Sequence, residues 1–529
     1  MAIDPFPANE QRFLHAFLEW EGLQFPRRVT MLKGAGNILH GSRSAIVSRD
    51  DSYRLVCELA GLSEDPFKQE MKFQKNRAKR FNFWGFSQGY TIFLSNCYAD
   101  KLQAQWQEGS PFRISIGLDR VEQKAAGTWE KVTHIDWFLN GPRRAWFPRT
   151  TFRQEERSYV RKMKAPSEFG VVCATNSSGG SADCAFVELP KFSFIVRSVS
   201  DNFGPDWSKK VAIEYSTKLS AIPTLEERQA VGEIVSFVLG RRLMAVGDTS
   251  LATEDHQVPL STWDMGAKSR LPRMVKPDFS FFMRSWNPIG INVRSLCSKI
   301  DFPPVPINQL HRKKSQNIEA LLARLTPIYL KLRNALALDH ALWRYWTFQE
   351  LPLGINLPML FSGMEILADA WFRSPFSKSG GSFTSRKEFE TLLNGDFDNI
   401  RSKLEGAAKT IPSMTHLQEP KVLRSLMERL ASSFSMGQNA RLREFLREVG
   451  VEPSEKQLDS LKARNEQIHT RGADQEAVHL WSLSENLRTL FYKTMLRLLG
   501  YSGEYFDWAT RRPSVRRLRT AASDLNRLW

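Results

Sequence analysis

The sequence predicts a multidomain α+β protein, with an N-terminal, mainly antiparallel β domain followed by a C-terminal all-α helical bundle. Three observations predict it. Up to about residue 220, apolar and polar residues alternate with a period of two. Beyond about residue 313 the apolar period becomes 3.6. Between them lies Asp301-Phe302-Pro303-Pro304-Val305-Pro306, whose prolines oppose regular structure and favour an extended linker.

In chain order, strands are expected at Arg54–Leu59, Tyr90–Ser95, Phe112–Leu118, Val132–Leu139, Phe169–Thr175, Phe192–Val196 and Lys210–Tyr215. Each alternates, or is a short apolar run between Gly, Pro, Asn and Ser clusters. Asn176–Ser181 reads as a loop. These segments fit a sandwich or barrel. A helix is expected over Thr224–Arg241, with Glu226 and Glu227 at its start and Val231, Ile234, Val235 and Val238 as its stripe. Mixed structure continues to Ser298.

Past the prolines, helices are expected at Ser315–Phe348, Leu357–Phe372, Arg386–Leu393, Lys421–Ser432, Asn439–Val449, Ser454–Ile468 and Gln475–Leu499. A Ser/Gly loop, Ser377–Ser385, interrupts them. The domain reading is therefore 1–220 β-rich, 221–300 a mixed extension of it, 301–312 linker, 313–508 helical and 509–529 a basic tail.

A length of 529 residues suggests about two to four domains. The net charge is +17. Residues 301–529 hold 33 Lys/Arg against 25 Asp/Glu, and the first 300 hold 41 against 32. A positive field spread over both halves attracts polyanions, nucleic acid foremost; solubility alone is the plainer account.

The five cysteines, Cys57, Cys97, Cys173, Cys184 and Cys297, include no C-x-x-C pair and read as reduced thiols of a cytosolic protein. No leader and no long uncharged apolar run is visible, so the chain is expected to be cytoplasmic. Nucleotide-binding loops, hydrolase elbows and Cys/His metal clusters are absent from the sequence, so no cofactor or metal is expected.

The informative stretch is Leu458-Asp459-Ser460-Leu461-Lys462-Ala463-Arg464-Asn465-Glu466-Gln467-Ile468-His469-Thr470-Arg471-Gly472. An Arg followed by His after four to six residues is common by chance, and the chain holds two such pairs: Arg464/His469, with four intervening residues, and Arg333/His340, with six. Asn follows the Arg in both, as Asn465 and Asn334. Context favours the first. Arg333 and His340 fall inside an expected long apolar helix, Leu330–Trp346, whereas Gly472 stops a helix just after His469.

Leu461–His469 with Gly472, then a long helix ending Leu498-Leu499-Gly500-Tyr501-Ser502-Gly503-Glu504-Tyr505, resembles the HEPN superfamily, most closely its ApeA-type branch of prokaryotic anti-phage proteins. The helix Leu360–Leu367, which carries Glu365, is similar to the family's earlier Glu-bearing helix. Thr470 and Arg471 separate His469 from Gly472, whereas many relatives place Gly directly after the His.

The resemblance covers about residues 315–505. It implies a HEPN-like bundle, a metal-independent endoribonuclease acting on tRNA or mRNA, and a homodimer with facing motifs. It also implies a regulatory N-terminal domain answering a phage-derived trigger, in an abortive-infection effector. A toxin of a toxin–antitoxin pair and a non-catalytic scaffold are the alternatives.

The residue types suit that chemistry. RNA supplies its own 2′-OH nucleophile. His469 can move the proton near neutral pH, and a helix C-terminus favours its charged form. Arg464 can fork onto the scissile phosphate, and Asn465 can orient either. Glu365 and Glu466 are supporting candidates, although a structural ion pair is the plainer role for Glu365. Residues five apart on a straight helix are turned about 140° from each other. His469 is therefore expected either beyond the helix end or in a site shared by two chains.

Two stretches mix cations with aromatics, as single-stranded nucleic acid prefers. One is Lys72-Phe73-Gln74-Lys75-Asn76-Arg77-Ala78-Lys79-Arg80-Phe81-Asn82-Phe83-Trp84, the other Arg143–Arg149. Their aromatics equally suit a sheet core. With Arg471, the tail arginines Arg511 and Arg512 are further RNA-binding candidates. The tail equally suits a solvated helix face.

Overall fold

The N-terminal segments pair edge to edge; β7 alternates buried and partly exposed residues, whereas β8 and β12 bury both faces. The computed structural model describes the chain except residues 1–26, 35–43, 51, 61–74, 76–79, 88–89, 106–112, 125–131, 143–146, 149–150, 155–157, 164–183, 200–204, 218–219, 253–257, 260–278, 285–296, 298–301, 308–316, 382–390, 392–395, 411–424, 426–435, 470–476, 511–512 and 519–529. It divides into two units, 1–327 and 328–529.

The first unit contains β1 (Arg27–Gly34), β2 (Ser44–Arg49), β3 (Leu55–Ala60), β4 (Phe81–Ser87), β5 (Tyr90–Gln105), β6 (Arg113–Gly117), β7 (Arg120–Lys124) and β8 (Val132–Leu139). It continues with β9 (Thr151–Gln154), β10 (Ser158–Met163), β11 (Cys184–Glu188), β12 (Ser193–Val199) and β13 (Lys210–Ser216). Helix α1 (Leu225–Leu239) then precedes β14 (Met244–Ala252), β15 (Val258–Pro259) and β16 (Phe279–Arg284). Among the described residues, thirteen strands form one sheet in the order β11-β12-β13-β8-β14-β16-β7-β5-β4-β1-β2-β3-β6.

The expected strand Tyr90–Ser95 runs on through Gln105 because β5 serves two sets of neighbours. Its first part pairs with β4 and β7 and its second with β6. Asn96, at φ 54°, sits where the β4 register shifts, and its amide donates to Asn82 Oδ1 at 2.9 Å. Asn tolerates this left-handed geometry, and such a bulge bends a strand. The bend brings β6 back to β5, closing β5-β4-β1-β2-β3-β6 into a ring. The expected Phe169–Thr175 strand and Asn176–Ser181 loop lie outside the described residues.

Helix α1 forms as read. Thr224 accepts from the Glu227 amide while Glu227 accepts from the Thr224 amide, a reciprocal cap. Val231, Ile234, Val235 and Val238 are wholly buried, a stripe of about 1.5–3 kcal/mol per side chain. The helix ends at Gly240, at φ 69°. Val305 is buried and the Phe302 amide donates to Gly240 O at 3.1 Å. The proline segment is thus docked and bends at Pro304 and Val305, rather than running as an extended linker.

The helices that follow are α2 (Ile318–Leu332), α3 (Leu338–Glu350), α4 (Leu357–Arg373), α5 (Asp396–Thr410), α6 (Gln438–Glu448), α7 (Glu455–His469) and α8 (Ala477–Leu498). The expected single helix Ser315–Phe348 is corrected to two. Residues 333–337 form a turn, with Ala337 left-handed at φ 49°. Leu332 and Leu336 are buried on one stripe, and Leu338, Ala341, Leu342 and Tyr345 on another. One straight helix cannot present both stripes, so the turn resets the phase.

In the second unit α4 packs against α3, α6, α7 and α8, and α7 also packs on α8. Tyr345 stacks on Phe491 at 4.9 Å and its hydroxyl hydrogen-bonds that of Tyr492. The expected helices Arg386–Leu393 and Lys421–Ser432 lie almost wholly outside the described residues. The tail is not a helix where it is described: β17 (Glu504–Asp507) and β18 (Ser514–Arg517) form a hairpin, closed by Arg516 on Asp507 at 2.7 Å.

Candidate active site

Helix α7 carries the Arg464/His469 motif. Its first turn is capped by Ser454 and Gln457. The Ser454 amide donates to Gln457 Oε1 at 3.0 Å and the Gln457 amide to Ser454 Oγ at 3.4 Å. Gln457, Ser460, Leu461 and Ala463 are buried, which defines the face packed on α4 and α8. Lys462 and Asp459 pair at 3.0 Å on the solvent side.

The helix continues through His469. The side chains of Arg464, Asn465, Glu466 and His469 lie outside the described residues, as do Arg471 and Gly472. Their positions on the helix are nevertheless defined. Position 469 is turned about 140° from 464. One chain therefore does not place both positions on one face of α7.

On α4, Glu365 is half-buried and accepts from Gln438 Nε2 of α6. The second Arg–His pair corrects the sequence reading. Arg333 and His340 are not inside one unbroken helix, because the 333–337 turn lies between them. Arg333 reaches Asp339 at 3.3 Å and Asn334 Oδ1 at 3.3 Å, while His340 is exposed.

Of the first basic stretch, Lys72, Arg77 and Lys79 lie outside the described residues, and Lys75 is exposed. Arg80 is exposed and its guanidinium lies over the Tyr98 ring at 4.3 Å. Phe81 and Phe83 are buried in the sheet core. Of the second stretch only Phe147 and Pro148 are described, and Phe147 is buried. Arg511 and Arg512 lie outside the described residues.

Sequence reasoning passed over one cluster: His134 and Asp136 on β8 with Asp248 on β14, whose ligand atoms all lie within 4.8 Å of one another. No linear motif announces it, because strand pairing brings these residues together.

The structure thus defines an α+β protein with an antiparallel β unit and a helical unit. Among the described residues no helix is long and apolar enough to cross a membrane. Comparison with known proteins adds no relative: no family model, no curated protein and no solved structure matches the chain.

Proposed function

We propose that the chain is a metal-independent endoribonuclease of the HEPN type, with Arg464 and His469 as its working pair and its helical unit as a HEPN-like bundle. The observation that carries the reading is the Arg464-Asn465-…-His469 motif at the end of a capped, amphipathic helix packed between α4 and α8. The charge of +17 supplies the field that gathers RNA.

The 140° turn between the two positions favours a site shared by two copies of the chain. The RNA 2′-OH attacks the adjacent phosphorus and the P–O5′ bond breaks, leaving a 2′,3′-cyclic phosphate and a 5′-OH. One His469 accepts the 2′-OH proton and the other protonates O5′. Arg464 neutralises charge growing on the phosphoryl oxygens, and Asn465 orients the phosphate. In this reading, cleavage acts as an abortive-infection response restrained by the N-terminal unit.

The test is expression of wild type beside His469→Ala and Arg464→Ala, scoring growth arrest and RNA fragment ends. Wild type is expected to arrest growth and yield cyclic-phosphate ends, while both variants are silent. Equal arrest in all three removes the enzyme. RNA binding without fragments in wild type leaves the non-catalytic scaffold.

A further inference from the structure

We propose that His134, Asp136 and Asp248 form a binding site for a divalent transition-metal ion of the zinc or manganese type, on the α1-covered face of the β8–β14 pair. The site belongs to the first unit and is separate from the proposed nuclease residues.

The distances suit an ion. His134 Nε2 lies 3.1 Å from Asp136 Oδ1, a hydrogen bond that a bound ion replaces, and 3.9 Å from Asp248 Oδ1. Ligands about 2.0–2.1 Å from a tetrahedral zinc are themselves roughly 3.3 Å apart. A small closure of this set therefore completes the coordination, with water in the open position. One imidazole with two carboxylates suits zinc or manganese, whereas calcium needs six to eight oxygens.

The register explains why the groups converge. Asp136 stands directly opposite Asp248, and His134 opposite Ser250. Two carboxylates facing each other across a strand pair repel, and a divalent cation between them turns that repulsion into attraction. The surroundings orient the ligands as outer-shell groups do. In the tautomer that donates Nδ1–H to Ser250 Oγ at 2.8 Å, His134 offers the Nε2 lone pair. Arg228 Nε, from α1, lies 3.3 Å from Asp136 Oδ2 and 3.4 Å from Oδ1, holding that carboxylate in place.

Tyr215 is an independent sign of a ligand. It pairs with His134 on the neighbouring strand, with ring centroids 6.3 Å apart. It is wholly buried, and its hydroxyl has no hydrogen-bond partner among the described residues. A buried hydroxyl left so costs about 1–3 kcal/mol and points to a missing water or ion. Tyr215 stands in register with His134 on the same face of the sheet, so its ring lies beside the cluster.

The experiment uses the untagged full chain, stripped with a chelator, dialysed against zinc and analysed for metal per chain by plasma mass spectrometry. Wild type is expected to retain one more ion per chain than Asp248→Asn or His134→Asn, and zinc is expected to raise its melting temperature but not theirs. Ser250→Ala keeps all three ligands and is expected to bind about 10–100-fold more weakly. It decides the matter if the ligand variants do not fold. Equal zinc content in wild type and folded ligand variants overturns the site, as does undiminished affinity in Ser250→Ala.

Discussion

The Phe302 amide donates to the Gly240 carbonyl at 3.1 Å, and this bond ties the proline segment to the end of α1. Gly240 has φ 69°, and a Cβ there would lie 2.1 Å from both Phe302 C and Pro303 N. Gly240→Ala therefore adds left-handed strain of about 1–2 kcal/mol to a backbone clash of about 1–3 kcal/mol. The expected outcome is a clearly lower denaturant midpoint for the first unit, followed by tryptophan fluorescence. An unchanged midpoint contradicts the docking.

Glu448 organises the 377–381 loop. Its carboxylate accepts from Trp371 Nε1 at 2.6 Å and from the Lys378 and Ser379 amides at 3.2 and 2.9 Å. Burial alone would raise its pKa, but the hydrogen bonds, Trp371 foremost, outweigh burial and hold it below the ordinary value. A depressed carboxyl stabilises the fold fully above its unfolded value, about 4.3. That stability is lost as pH falls through the lowered folded value. After correction for the intrinsic rate, protection of the 377–381 amides is expected to fall over that acid window in wild type. Glu448→Gln is expected to lack that protection already at neutral pH, and equal protection in the two proteins would refute the role.

Within α8, Glu485 and Arg488 are both buried and pair at 2.7 Å. Arg488→Leu leaves a carboxylate in a dry environment and is expected to cost about 3–5 kcal/mol. Replacing both by Leu is expected to cost much less, because the desolvation penalty goes with the charge. Urea titrations of both single variants and the double variant measure the difference.

Burial pushes the Cys57 thiol up to about 12, and the residue is 0% exposed. The thiolate, which is the reacting species, is then scarce and out of reach. Iodoacetamide at about pH 8 is expected to leave Cys57 unmodified in the native chain and to label it in urea, as read by peptide mass spectrometry.

His340 is exposed beside an Arg333 already engaged by Asp339. If the chain is the nuclease proposed above, His340→Ala is expected to retain the cleavage that His469→Ala loses. If His340→Ala silences cleavage and His469→Ala does not, the catalytic pair moves to the α2–α3 turn.

Much of the fold was legible where local chemistry decides it. Val132–Leu139 is rich in apolar and β-branched residues, and it is β8 with the same bounds. Thr224 and Glu227 announce a helix start, and they cap α1. The 333–337 turn was not legible, because Arg333-Asn334-Ala335-Leu336 contains ordinary helix-compatible residues and only the burial of two apolar stripes breaks the helix there. At the candidate site, the motif and the helix bearing it were readable. The convergence of His134, Asp136 and Asp248 was not, since none of them is unusual within its own segment.

The sequence by itself determined the change from a β-rich half to a helical one, the bounds of β8 and where α1 and α7 begin. Periodicity and capping act within a few residues, so they are visible in one dimension. Tertiary structure alone decided that β5 closes a ring, that the proline segment docks on Gly240, and that Asp248 faces Asp136. Those outcomes depend on register and packing between segments distant in the chain, where no short-range rule chooses the partner.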